Sequence, residues 1–218
     1  MPYSALVYRD LPPETSPARA TIVALHGATG GLDDLVPLAR SLGSDVRVVA
    51  PEAARGVYTV REMVAHTWYG GGRAGRPEPA SFGDSLAQIE RFVHDVRERA
   101  AEGEPALPWL LGYDQGAVLA LALAAIAPDL VCGVMAVCGS LPTFSDPGLL
   151  EIVASDVPVL LVGDRSDTAP AEAELGATAE RFKDLGGRVT TTWIDDARQL
   201  GPEVATALRT WLDGRLDH

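Results

Sequence analysis

Gly112-Tyr113-Asp114-Gln115-Gly116 joins a short apolar stretch to a long apolar run that ends at Pro128. The pattern predicts a strand running into a helix, with Asp114 at the turn and a glycine two positions away on either side. A sharp turn of this kind needs glycines there, because larger side chains would collide. It lifts the central side chain into a cleft and leaves the next N–H, that of Gln115, aimed at a bound molecule. A carboxylate displayed this way has two uses. It can attack an sp³ carbon with no activating base, or, in an apolar cleft that raises its pKa, it can take a proton. A plainer alternative stands beside these: an aspartate before a helix often caps free backbone N–H groups.

Few other residues offer chemistry. His66, in AHTWYGGG, is the best-placed spare histidine for activating water, against an ordinary loop role. His26 belongs to a His-Gly turn and is expected to be structural and hydrogen-bonded. His94 lies on a helix opposite or beside its apolar face and is expected to be solvated, and His218 is terminal. No His/Cys/Asp/Glu spacing reads as a metal site. Gly27–Gly31 and Gly70–Gly72 fit no phosphate-loop or dinucleotide pattern, so no cofactor is expected.

The elements that must position these residues alternate along the chain. Thr21–Leu25, Val46–Ala50, Trp109–Tyr113, Val131–Val137, Val157–Val162 and Val189–Ile194 read as strands, most of them short, apolar and β-branched. Leu6–Tyr8 suits an earlier edge strand. Helical patterns cover 32–42, 82–101, 115–127, 171–185 and 202–212. The second is amphipathic, with Leu86, Ile89, Phe92, Val93 and Val96 on one face. This order predicts an α/β domain with a mostly parallel sheet between helices, with ligands bound at the carboxyl ends of the strands. Residues 52–80 lack periodicity and read as a long loop forming a lid or pocket wall, with a surface excursion as the alternative.

Composition narrows the class. The 218 residues fit a single domain, 1–218, and 47% hydrophobic residues supply a sizeable core. The net charge of −12 opposes nucleic-acid and membrane-surface partners. The expected partner is a small-molecule substrate, and a homodimer is compatible with this reading. The start, MPYSALVYRD, has no leader pattern, and the longest apolar run is too short to span a bilayer. On a strand, Cys132 and Cys138 would lie roughly 20 Å apart at about 3.3 Å per residue, too far for a disulfide. A cytoplasmic, reducing environment is the expectation. The Ala-, Gly-, Arg- and Asp-rich composition points to a bacterial source.

Several segments together carry a family resemblance. LHGATGGLDDLVPLARSL, ASFGDSLAQIERFV, the Gly112–Gly116 turn, VPVLLVGDRSDTAP and WIDDARQLGPEV occur in the order found in the α/β-hydrolase fold. Within that fold the chain resembles the small phospholipase/carboxylesterase group, over nearly its whole length. The resemblance implies an α/β-hydrolase fold and assigns roles. Asp114 stands at the nucleophile position, where the family has serine. Asp167 matches the triad acid. Arg198 stands where the catalytic histidine would be. Ala28 and Gln115 match the oxyanion-hole donors, Trp68 resembles an aromatic beside the pocket, and Gly27 and Tyr69 would join it there.

Two of the three triad positions are therefore changed. Serine attack needs a neutral base, and arginine stays protonated up to about pH 12. Ordinary esterase chemistry is not expected. Three readings remain open. Asp114 could attack a carbon as in epoxide hydrolases and haloalkane dehalogenases, with His66 serving the second step. It could act as a general base, with Arg198 binding an oxyanion, in cyclisation, lactone opening, isomerisation or elimination. Or Asp114, Arg198 and Asp167 could form a buried ion triad in an inactive relative that binds a ligand or protein. The expected function is an atypical hydrolase-like enzyme of a biosynthetic kind, acting on a small, mostly apolar molecule.

Overall fold

A computed structural model describes residues 6–15, 17–58, 60, 62–71, 76–153, 156–166 and 170–216. Seven strands form one sheet in the order β1-β3-β2-β6-β7-β8-β9. They are β1 (Tyr8–Leu11), β2 (Ala20–Leu25), β3 (Val46–Pro51), β6 (Trp109–Tyr113), β7 (Gly133–Val137), β8 (Pro158–Asp164) and β9 (Arg188–Ile194). Only β1 runs antiparallel to its neighbour; β3, β2, β6, β7, β8 and β9 pair in parallel. The central strands β2, β6, β7 and β8 are almost wholly buried, which is why their sequences are continuous apolar runs rather than alternations.

Helices cover both faces. On one lie α2 (Pro79–Glu98), α3 (Gln115–Ile126) and α4 (Glu172–Asp184), whose apolar residues share a core with Val23, Leu110 and Leu161. On the other, α1 (Val36–Arg40) and α5 (Pro202–Leu216) pack Leu38, Val204, Leu208 and Leu212 against Ile22, Val48 and Leu111. α3 is buried from Gln115 to Ala125 and apolar on all sides, as a central helix must be.

Residues 52–80 are more ordered than a loop. They contain β4 (Arg55–Tyr58) and β5 (Met63–Thr67), an antiparallel pair forming a separate two-stranded sheet. Neither strand alternates cleanly between buried and exposed positions, so period-2 patterning could not reveal them. α1 is also shorter than its apolar pattern, and its turn starts just ahead of Pro37. Both cysteines are free thiols, with Cys132 just before β7 and Cys138 just after it. No helix among the described residues is long and apolar enough to cross a membrane.

Candidate active site

The turn between β6 and α3 is as sharp as its glycines suggest. A Cβ on Gly116 would lie 2.0 Å from the Leu25 carbonyl oxygen, and one on Gly112 would lie 2.4 Å from the Gly116 carbonyl oxygen. Asp114 sits at φ 49, ψ −113, a strained conformation for a residue with a side chain. Its N–H donates to the Val137 carbonyl (3.0 Å), tying the turn to the end of β7.

The Asp114 side chain does not cap α3. Its Oδ2 accepts the Ala28 N–H at 3.1 Å, and its Oδ1 lies 3.9 Å from Nη1 of Arg198. One carboxylate oxygen thus occupies the first of the two N–H positions expected to hold an oxyanion. The other faces a fixed cation. Gly27 precedes Ala28 and lies under the Tyr113 ring, whose Cδ1 would be 2.7 Å from an added Cβ. Arg198 lies beside the Tyr113 hydroxyl; burial raises the hydroxyl's pKa, and the arginine opposes that rise. The chain pattern of Tyr113 gave no sign of this role, because it reads simply as the last residue of a strand.

Arg198 lies in a single 3₁₀ turn, Ala197–Gln199, flanked by Asp196 and Leu200, both left-handed at φ 55 and φ 53. Its backbone is held by Asp164, at the carboxyl end of β8. Oδ2 of Asp164 accepts the Arg198 N–H (2.9 Å), while Oδ1 accepts the N–H (2.8 Å) and hydroxyl (2.6 Å) of Ser166. Burial pushes the Asp164 carboxyl up. The Ser166 hydroxyl, the two backbone N–H groups and the Arg198 charge outweigh it and hold its pKa below the usual carboxylate range. Asp164 was not among the expected site residues; the signal for it was Asp-Arg-Ser at a strand end, an aspartate poised to bond the N–H two residues on. Asp167, the expected acid, lies outside the described residues.

The segment before α2 is latched to the turn by Gln115. Its side-chain Oε1 accepts the Trp68 N–H (3.0 Å) and the Thr67 hydroxyl (2.9 Å), and its Nε2 donates to the Tyr69 carbonyl (3.0 Å). Trp68 is a core residue rather than an open pocket wall. It is fully buried, stacks on His26 at 4.9 Å and donates its indole N–H to the His26 carbonyl (2.8 Å). Tyr69 is also buried and meets Phe82 edge-on at 5.4 Å, but its hydroxyl has no partner among the described residues. Burial raises its pKa strongly, and the charge of Asp114 adds to the effect.

The two inner histidines are committed elsewhere. Nε2 of His26 accepts the Ala53 N–H (3.0 Å), which assigns the proton to Nδ1, beside the Gly27 carbonyl (2.7 Å). Burial lowers its pKa and keeps it neutral. His66 bridges Gly30 through its backbone, with Nδ1 at 2.8 Å from the Ala53 carbonyl and Nε2 at 3.4 Å from Oε2 of Glu52. Among the described residues no cluster of three or more His, Cys, Asp or Glu could hold a metal ion.

A strained strand–turn–helix at the centre of a parallel sheet, with its carboxylate beside the loop after β2, defines the class. Residues 22–217 match the alpha/beta hydrolase family, and the chain belongs to it. It is 29% identical over 172 residues to the "Putative esterase NocK" of Nocardia uniformis subsp. tsuyamanensis. That match takes in 77% of this chain and 46% of the relative, so the chain spans less than half of that protein's length. Among solved structures, a Bacillus cereus carboxylesterase superposes with a TM-score of 0.81 at 15% identity, covering 97% of this chain and 95% of its own. A carboxylesterase from Mesorhizobium loti gives 0.78 at 21% identity, covering 98% of both chains. These two likenesses establish the shared fold.

Proposed function

We propose that this α/β-hydrolase family member is an atypical enzyme in which the Asp114 carboxylate acts directly on a small, mostly apolar organic substrate. The observation that carries this reading is the division of that carboxylate, with Oδ2 on the Ala28 N–H and Oδ1 towards Arg198. A serine at this position would need a neutral base, and a guanidinium cannot be one. A carboxylate needs no such activation.

Of its two uses, proton abstraction is favoured over covalent attack. An ester formed on Asp114 would have to be hydrolysed by activated water, and both ring nitrogens of His66 already face Ala53 and Glu52. As a general base, Asp114 removes a proton from the substrate. Arg198 holds the oxygen on which the electron pair settles, as a fixed cation does for a developing oxyanion. Cyclisation, isomerisation and elimination share this first step, whereas in lactone opening the proton Asp114 takes is that of the attacking water. A ligand-binding role without turnover is the second reading, favoured by the contact of Arg198 with both Asp114 and Tyr113.

The test is deuterium exchange from D₂O into a panel of small ketones and lactones, followed by NMR. Exchange by the wild type and none by Asp114→Asn, with the fold intact, supports the proposal. Equal behaviour of the two proteins sinks it. An ester adduct on Asp114 by mass spectrometry would move the assignment to covalent attack. No hydrolysis of p-nitrophenyl esters and no labelling by a fluorophosphonate are expected.

A further inference from the structure

An apolar cavity of about 460 Å³ lies beside the carboxyl end of β7. Its wall includes Leu141, Phe144, Leu150 and Ile152 from the connection after β7, and Ala177 and Arg181 from α4. That volume is within the range of small-molecule sites, which are mostly apolar with a few polar groups that fix orientation.

Two polar side-chain groups here have no partner among the described residues. Ser140 lines the cavity and is only 2% exposed, and its hydroxyl makes no hydrogen bond among the described residues. The hydroxyl opens into the cavity and is not sealed in the core, so it can pair with a polar group of a bound molecule. The Arg181 guanidinium likewise has no ion pair or hydrogen bond among the described residues, whereas those of Arg19, Arg47 and Arg55 are all paired with carboxylates.

The fold brings together the two segments that carry these groups. The N–H of Leu141, next to Ser140, donates to the Thr178 hydroxyl oxygen at 2.9 Å. Thr178 and Arg181 are three apart on α4 and so share a face of that helix. The one carboxylate in the wall, Glu174, is already held at the start of α4, where its Oε2 accepts the Ala171 N–H at 3.0 Å.

We propose that this cavity binds a medium-chain, mostly apolar carboxylic acid, with its carboxylate on Arg181 and the Ser140 hydroxyl and its chain among Phe144, Leu150 and Ile152. The site goes beyond the reading of Asp114, because it is defined by binding and needs no turnover.

The experiment is calorimetric titration of the intact protein with decanoate and, separately, with n-decanol. Decanoate should bind saturably at one site and more tightly than decanol. Arg181→Gln should weaken decanoate about tenfold and leave decanol unchanged. Ala177→Trp, at an exposed helical position that reaches the cavity, should fill the space and abolish both. Asp114→Asn should bind decanoate like the wild type, which separates this site from the chemistry at the β6–α3 turn. The proposal is overturned if folded wild-type protein shows no saturable decanoate binding, if decanol binds equally well, or if either cavity variant behaves as the wild type does.

Discussion

Asp164 holds Arg198 by its main chain, N–H to Oδ2 at 2.9 Å, while the guanidinium turns away to Asp114. The loop carrying Arg198 is thus fixed by a buried carboxylate rather than by the side chain that faces the cleft. Asp164→Ala removes the acceptor for three hydrogen bonds, and bonds to charged groups contribute about 1.5–3 kcal/mol each when isolated. A total destabilisation of roughly 2–4 kcal/mol is expected, because the donors can partly turn to water. The pH dependence has a fixed sign. The Asp164 pKa is depressed in the folded state, so its stabilisation is present above the unfolded value, about 3.9, and fades as pH falls through the lower folded value. Urea melts of wild type and Asp164→Ala at pH 7 should differ clearly, and the gap should narrow below about pH 4.

Gln115 spends its whole side chain on residues 67–69. Gln115→Met keeps the volume but strands the buried Trp68 N–H, while the Tyr69 carbonyl keeps the Thr67 hydroxyl at 3.3 Å. About 1–3 kcal/mol of destabilisation is expected from one unpaired buried group. Hydrogen exchange should show the amide of Trp68 losing protection while the amides of β6 keep theirs.

Tyr69→Phe separates stability from function. The hydroxyl is buried without a partner among the described residues, so its loss should leave stability unchanged or raise it by up to about 1 kcal/mol. If substrate supplies the missing partner, the same variant lowers the rate. A thermal melt and the exchange assay together read both effects; a drop in stability of more than about 1 kcal/mol would mean that the hydroxyl is already paired.

Converting Asp114 to serine should not create an esterase, because Arg198 cannot accept the serine proton. Asp114→Ser alone should show only background hydrolysis of p-nitrophenyl acetate. Adding Arg198→His should raise it at least about tenfold, within the usual contribution of a positioned base. Equal rates for the single and double variants would show that position 198 does not stand where a base must be.

Much of the fold could be read from the chain, because buried parallel strands need unbroken apolar runs. Trp109–Tyr113 ends where the structure ends β6, and the glycines around Asp114 foretold its turn. Residues 55–67 were opaque for the opposite reason: their strands are mostly half-buried and show no alternation of buried and exposed positions. The nearness of Asp114 to Ala28 and Arg198 was among the arrangements that the family resemblance implied. The burial of Trp68 and the grip of Asp164 on Arg198 did not, since each depends on hydrogen bonds between residues tens of positions apart.

Gln115 serves two masters from one Cα. Its backbone belongs to the rim beside Asp114, and its amide clamps the strand-like segment ahead of α2. Evolution therefore has little room to retune either task at this position alone: a change that reshapes the rim also loosens the wall. Drift in what this protein accepts should be sought in the neighbouring side chains instead.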